Sequence, residues 1–233
     1  MLLIDSDTLA YVAAVMAEGL DESEARINVD KYLEDLLIDC NDFDYICYLT
    51  GDNNFRYKIY PEYKANRKDQ PKPTYLPIAR ERLITSYNAI VSDGCEADDL
   101  VGIEHYKRGC EPTIVSVDKD LDQYVGWHYN PKKKIRYLVS PNDAIRFFYY
   151  QMLVGDTADN VHGCKGIGKV KATRYLDNCT TEEEMFSVCR ELYSCDAEFE
   201  MNAKCLWLWR EENGIWTWPE WARPKDVEEN TPV

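Results

Sequence analysis

The sequence has no stretch of about 18 consecutive apolar residues, the length that carries a helix across a bilayer, so no membrane association is expected. The N-terminus lacks a cationic opening segment, and Asp5 and Asp7 interrupt its short apolar run. That argues against a secretory leader and for a cytoplasmic protein. Nine cysteines form an odd, scattered set without one C-x-x-C pair. The pattern excludes a zinc ribbon and fits reduced thiols used as core filler. Histidine is scarce: His105, His128 and His162 stand apart from one another, which favours structural roles over metal binding. Positive charge is short as well, with 27 Lys and Arg against 42 Asp and Glu and a net charge of −15. Taken as a sum, that weighs against nucleic acid, because phosphates need cations.

What is present is a core and an uneven charge pattern. The 233 residues, 45% apolar and 12% aromatic, suffice for one sizeable α/β domain with a small appendage. Between residues 56 and 82, eight cations (Arg56, Lys58, Lys64, Arg67, Lys68, Lys72, Arg80, Arg82) meet only Glu62, Asp69 and Glu81, a local excess of +5. Residues 163–175 hold Lys165, Lys169, Lys171 and Arg174 and no acid. A polyanion meets the patch rather than the sum, so these patches reverse the preference set by global acidity.

Leu2-Leu3-Ile4 reads as a strand ending in Asp5, followed by a helix over 8–16 and a second over 29–40. Residues 45–49, 89–91 and 113–117 read as strands, and 97–107 as a helix. Two short strands, 127–129 and 135–138, flank a turn at Asn130-Pro131. Residues 53–77, rich in Lys, Tyr and Pro, read as a mobile excursion. The alternation predicts a mainly parallel central sheet flanked by helices over 1–140. Residues 141–218 read as all-helical around a glycine turn at 163–168, and 219–233 as a loose tail.

Sheets of this kind bind ligands beyond the carboxyl ends of their strands. Asp5, Asp52 and Asp118 stand at three such ends, and Glu96, Asp98, Asp99, Asp120, Asp156 and Asp159 form compact groups. Any one group among so many acids reads more readily as a solvated face; for the ensemble, placement at strand ends argues for a shared site. Converging carboxylates raise one another's pKa unless cations share the site. Hard oxygen donors select Mg2+ or Mn2+ over zinc, and two such cations suit phosphodiester hydrolysis.

Five segments then carry a resemblance: 3–7 (LIDSD), 55–67 (FRYKIYPEYKANR), 96–99 (EADD), 116–123 (SVDKDLDQ) and 155–172 (GDTADNVHGCKGIGKVKA). In this order they resemble the motifs of the flap-endonuclease/5′→3′ exonuclease family, the PIN-like 5′-nucleases, over roughly residues 1–180. The KANRK stretch is most similar to the stand-alone bacteriophage 5′-exonucleases. The resemblance implies a structure-selective, two-metal 5′-nuclease, 5′→3′ exonuclease or flap endonuclease, acting as a monomer on DNA with 5′ ends, flaps or nicks, and leaves open its action on RNA–DNA hybrids. It implies Asp5, Asp52, Glu96, Asp98, Asp99 and Asp118 around one cation, and Asp120, Asp156 and Asp159, with Asp118, around the other. Asp99, Asp118, Asp120 and Lys64 would serve catalysis, Lys64 by stabilising charge on the scissile phosphate. Asp7, Asp93 and Asp122 fall outside the matched acids and read as peripheral. Arg56, Lys58, Tyr63, Lys64, Arg67 and Lys68 would line an arch or clamp, where cations interleaved with aromatics suit a single strand. The excursion is short for a closed arch.

The turn at 163–168 has the G-x-x-x-x-G-K spacing of an ATP-binding loop, but Val170 stands where a metal-binding Ser or Thr belongs. No nucleotide cofactor is expected. Gly163, Lys165, Gly166, Gly168, Lys169 and Lys171 read instead as a phosphate grip on a duplex backbone. By resemblance this is a helix–three-turn–helix element with a bound K+, although His162-Gly163-Cys164 replaces the usual Pro-Gly-Val. Trp207, Trp209, Trp216, Trp218 and Trp221 read as core packing ahead of base stacking. Two other functions compete: a PIN-type ribonuclease, and a non-catalytic DNA-junction binder. The glycine turn and basic excursion disfavour the first, and the complete acid set disfavours the second.

Overall fold

Four consecutive buried residues, Leu2–Asp5 (β1), form the centre of the sheet, as expected of a strand covered on both faces. The structure, a computed structural model, describes residues 1–223. Around β1 lie β2 (Tyr45–Leu49), β3 (Ile90–Val91), β4 (Thr113–Val115), β5 (Gly126–Asn130) and β6 (Ile135–Val139), in the order β3-β2-β1-β4-β5-β6. Every pairing is parallel except the β5–β6 hairpin. The strand order runs outward in opposite directions from β1 and β4, so a crevice opens between their carboxyl ends.

One face is covered by α1 (Asp7–Met16), α2 (Glu22–Cys40) and α4 (Leu76–Tyr87), whose Ala10, Ala13, Ala14, Val29, Leu33 and Leu83 are buried. The other face receives α5 (Ala97–Lys107) together with Tyr124 and Leu208. The helix α2 starts well before the expected residue 29. Its N-terminal turn has no apolar periodicity, but the Asp21 carboxylate accepts from the Ser23 and Glu24 amides at 2.8 and 3.2 Å and nucleates it.

The chain after 140 builds a second core from α6 (Pro141–Val154), α7 (Lys169–Leu176), α8 (Glu182–Leu192) and α9 (Asp196–Leu206). It is not wholly helical: Gly155–Asp156 and Val161–His162 form a two-residue antiparallel hairpin, β7–β8, ahead of the glycine turn. Trp209, Trp216 and Trp218 are buried, so the aromatic end packs rather than stacking bases. Trp221 is half exposed and sits edge-on to Phe186, centroids 5.0 Å apart. Beyond 223, the expected tail lies outside the described residues.

The excursion departs most from expectation. Residues 53–77 contain a short helix, α3 (Arg56–Ile59), and a 3-10 turn at Ala65–Arg67, and they dock on the second core. Asn54, Arg56 and Tyr63 are buried, and Tyr63 belongs to the second core. Its foot is therefore a structural joint, because Lys/Tyr/Pro composition marks irregular backbone and does not fix mobility.

Candidate metal centre and nucleic-acid interface

The register of the central strands places Asp5 at the end of β1, opposite Tyr48 of β2. From β4 the chain continues through Ser116 to Asp118 on the same edge, and the Ser116 hydroxyl donates to Asp5 Oδ2 at 2.9 Å. The Ser116 Oγ also accepts from the Asp118 amide at 2.9 Å, so one hydroxyl fixes acids from two neighbouring strands. Asp118 Oδ1 in turn accepts from the Asp120 amide at 2.9 Å and opens the 3-10 turn Lys119–Gln123.

The α5 N-terminus supplies the next acids. Glu96 is its N-cap, in a capping box with Asp99. Burial, then Asp5 and Asp118, push the Asp98 carboxyl well above the usual carboxylate range. Burial, then Asp7 and Asp118, push Asp5 up to about 7. A second group gathers at Asp120, pushed up to about 8 by burial, then Asp118, with Asp156 and Asp159 adding to it. Asp156 is buried in the β7–β8 turn, where Oδ1 accepts from the Ala158 amide at 2.7 Å. The acids thus divide into two groups that share Asp118.

Lysines stand between these acids. Lys64 pairs with Glu96 and lies 3.7 Å from Asp159. Burial alone would raise Glu96, but Lys64 and Arg56 outweigh it and hold the carboxyl low. Lys119, which the motifs did not single out, lies 3.2 Å from Asp120 and 3.9 Å from Asp156. Lys64 adopts a left-handed backbone (φ 54°), costing on the order of 1 kcal/mol for a non-glycine residue. Its amide donating to the Asp159 carbonyl at 2.9 Å holds it there.

Several expected roles need correction. Arg56 is fully buried and forms a two-bond ion pair with Asp99, at 2.6 and 2.9 Å, so it is closed to DNA. Asp99 is likewise fully buried and does not face the cleft acids. The Tyr63 hydroxyl lies 2.8 Å from Glu96 and 2.6 Å from Asp159, which share its one proton, and its ring is core, closed to base stacking. Asp52 is exposed, and among the described residues no hydrogen bond or ion pair ties it to the other acids. Arg67 is half exposed but already committed to Asp159 at 2.8 Å and the Ala158 carbonyl at 2.8 Å. Lys58 and Lys68 are exposed. Peripheral Asp7, Asp93 and Asp122 are engaged by Arg80, Asn53 and Tyr137.

Within the glycine turn, backbone approach is closest at Gly163: a Cβ there would fall 2.3 Å from the Gly155 nitrogen. Gly166 takes φ +79°, and Gly168 caps α7 without any side-chain acceptor, leaving its first-turn amides available to an anion. Lys165, Lys169 and Lys171 are exposed around this turn. A further cationic feature escaped the sequence reading: Lys132, Lys133 and Lys134 form the tip of the β5–β6 hairpin. Because β5 runs parallel to β4, this tip projects from the same sheet edge as Asp118. Three consecutive lysines are signal enough in the sequence.

Among the described residues, no three His, Cys, Asp or Glu already stand as a closed metal-ligand group. The donor set nevertheless fits hard divalent cations. It consists of carboxylate oxygens, and Asp5, Asp98 and Asp120 carry the mutual repulsion that a cation relieves.

The chain is similar to a 5'-3' exonuclease of Mycoplasma pneumoniae, 30% identical over 219 residues, covering 80% of this chain and 74% of that protein. It is also similar to the thermostable DNA polymerase I of Thermus thermophilus, 28% identical over 205 residues, of whose length the match spans 25%. The chain thus spans about a quarter of the polymerases it matches. Its fold is similar to the bacteriophage T5 D15 protein co-crystallized with metal ions, at TM-score 0.65 and 17% identity, covering 88% of each chain. It is also similar to the catalytic core of Rad2 in complex with DNA substrate, at TM-score 0.51 and 11% identity, covering 86% and 70%. Residues 1–145 match the 5'-3' exonuclease N-terminal resolvase-like domain, and the chain belongs to the 5'-3' exonuclease family.

Proposed function

We propose that this chain is a divalent-metal-dependent 5′-nuclease that hydrolyses DNA phosphodiesters near 5′ ends, flaps and nicks. The observation that carries this reading is the pair of carboxylate groups sharing Asp118 at the crevice between β1 and β4. Asp5, Glu96, Asp98 and Asp118 would hold one Mg2+ or Mn2+, and Asp118, Asp120, Asp156 and Asp159 a second. When bound, such cations supply an activated water and neutralise charge on the leaving oxygen. The similarly folded T5 D15 protein, co-crystallized with metal ions, and T5 5'-exonuclease, with bound divalent metal ions, support the metal requirement.

The chain's own residues do the rest. Lys64, held at the cleft by Glu96 and Asp159, is placed to meet a non-bridging oxygen of the scissile phosphate. Exposed Lys58 and Lys68 would guide the single strand across the excursion. The turn at 163–168 would grip the duplex backbone through α7 amides and Lys165, Lys169 and Lys171, with K+ as a companion ion. Such contacts position DNA without reading sequence. Residues 1–140 would thus carry most of the chemistry, and 141–218 would add Asp156 and Asp159 to it and hold the duplex, in a monomer.

The test is cleavage of 5′-flap, nicked-duplex and RNA–DNA substrates with Mg2+ and with EDTA. Cleavage that survives EDTA, or no cleavage of any substrate, overturns the reading. Asp118→Ala separates a nuclease from a binder: loss of cleavage with retained DNA binding supports the nuclease.

A further inference from the structure

Asp98 and Asp99 are adjacent in sequence, yet a helix turns about 100° per residue, so they leave α5 in different directions. Asp98 faces Asp5 and Asp118. Asp99 turns inward, where both oxygens are used. Oδ2 accepts from Arg56 Nη1 at 2.6 Å and the Glu96 amide at 3.0 Å. Oδ1 accepts from Arg56 Nη2 at 2.9 Å and the Trp209 amide at 3.0 Å. Two donors on each oxygen exhaust its lone pairs and leave no direction for a cation.

The Arg56 guanidinium is closed in equally. Its Nε donates to the Cys205 carbonyl at 2.8 Å, Nη2 to the Trp207 carbonyl at 2.9 Å, and Nη1 lies 3.6 Å from Glu96. Beside it Phe55 stacks on Trp209, with ring centroids 4.8 Å apart. Gly102 lets the 207–209 segment come this close, since a Cβ there would fall 2.3 Å from the Trp209 carbonyl. Three segments thus close on one ion pair: the foot of the excursion, the start of α5, and the irregular segment leaving α9. From that joint the excursion runs on to Tyr63 and Lys64, both bonded to Glu96.

We propose that the Arg56–Asp99 pair is a latch that seats the excursion so that Lys64 meets the carboxylate cleft. Arg56 and Asp99 are then positioning residues, neither a DNA contact nor a metal ligand. The proposal deepens the nuclease reading and rests on it for the kinetic readout alone. Losing one partner would strand a buried charge and endanger the fold. The variants are therefore Arg56→Lys, which keeps the charge, and Arg56→Gln/Asp99→Asn, which removes both charges and keeps hydrogen-bonding groups.

Three measurements test it. In steady-state cleavage, Arg56→Lys lowers kcat by about tenfold or more, as expected for loss of a supporting contact, with DNA affinity unchanged. A fall of about one in the salt slope of binding, with kcat intact, makes Arg56 a phosphate contact and overturns the latch. Hydrogen exchange of residues 57–68 in the double variant accelerates by about tenfold; unchanged protection overturns the latch. In calorimetric Mn2+ titration the double variant binds within about twofold of wild type, whereas Asp98→Asn weakens by about tenfold. Equal weakening in both makes Asp99 a ligand and overturns the assignment. Should the wild type cleave nothing, the nuclease reading fails, while the exchange and Mn2+ arms still decide the latch.

Discussion

Lys64 and Asp159 meet twice: the Lys64 amide donates to the Asp159 carbonyl at 2.9 Å, and its Nζ lies 3.7 Å from Asp159 Oδ1. One residue pair therefore ties the excursion to the β7–β8 turn by main chain and side chain together. Glu96 and Asp159 outweigh burial and keep the ammonium charged, with its pKa raised. A charged group preset at the reacting phosphate costs no reorganisation during the reaction. Lys64→Met is expected to lower kcat by about 10²–10³, near 3–4 kcal/mol, with duplex binding retained. Activity within a few-fold of wild type would remove Lys64 from the mechanism.

Asp98 tests the electrostatic side of the same cleft. Its charge is opposed by Asp5 and Asp118, and Asn keeps its shape while removing that repulsion. In EDTA, Asp98→Asn is expected to melt a few degrees above wild type, and it should lose cleavage. Mg2+ should raise the wild-type melting temperature more than that of the variant. A variant less stable than wild type in EDTA contradicts that repulsion.

The acids themselves were legible in the sequence because strand ends are legible: β1 and β4 are short apolar runs, Asp5 closes the first and Asp118 stands three residues past the second. The parallel sheet followed from the strand–helix alternation for the same reason. The fate of Asp99 was not legible, since two adjacent acids in a motif look alike until the helix phase and Arg56 separate them. The docked excursion was hidden too. Its anchors, Asp99, Cys205 and Trp207, lie 43 to 151 residues away from Arg56, and no local pattern reports pairing at that range. The β7–β8 hairpin is too short to give a period.

The hairpin tip bears on substrate geometry. Lys132 and Lys133 are exposed on the sheet edge that carries Asp118, while Lys134 pairs with Asp39 at 3.1 Å. A duplex spanning the cleft would meet the first two. Replacing Lys132 and Lys133 with Glu should weaken duplex binding and reduce the salt slope by about two, one for each lost phosphate contact. The kcat at saturating DNA should hold. Binding measured between 50 and 200 mM salt on the order of the usual range decides it, and an unchanged slope would place the duplex elsewhere.

Two glycines of the phosphate turn make opposite demands. A Cβ on Gly163 would fall 2.3 Å from the Gly155 nitrogen and 2.4 Å from the Leu153 carbonyl oxygen, both backbone atoms that cannot step aside without breaking the β7–β8 pairing. Gly168 has φ −96° and nothing within 4 Å of such an atom. Gly163→Ala is therefore expected to destabilise the protein by about 1–3 kcal/mol, in the range of overpacking, and to weaken duplex binding through the displaced turn. Gly168→Ala should change stability by no more than about 1 kcal/mol, since both residues lack a capping oxygen. Thermal melts of the two variants distinguish steric need from mere flexibility. If both behave alike, the close approach at Gly163 is not what the turn requires, and its glycines serve the phosphate alone.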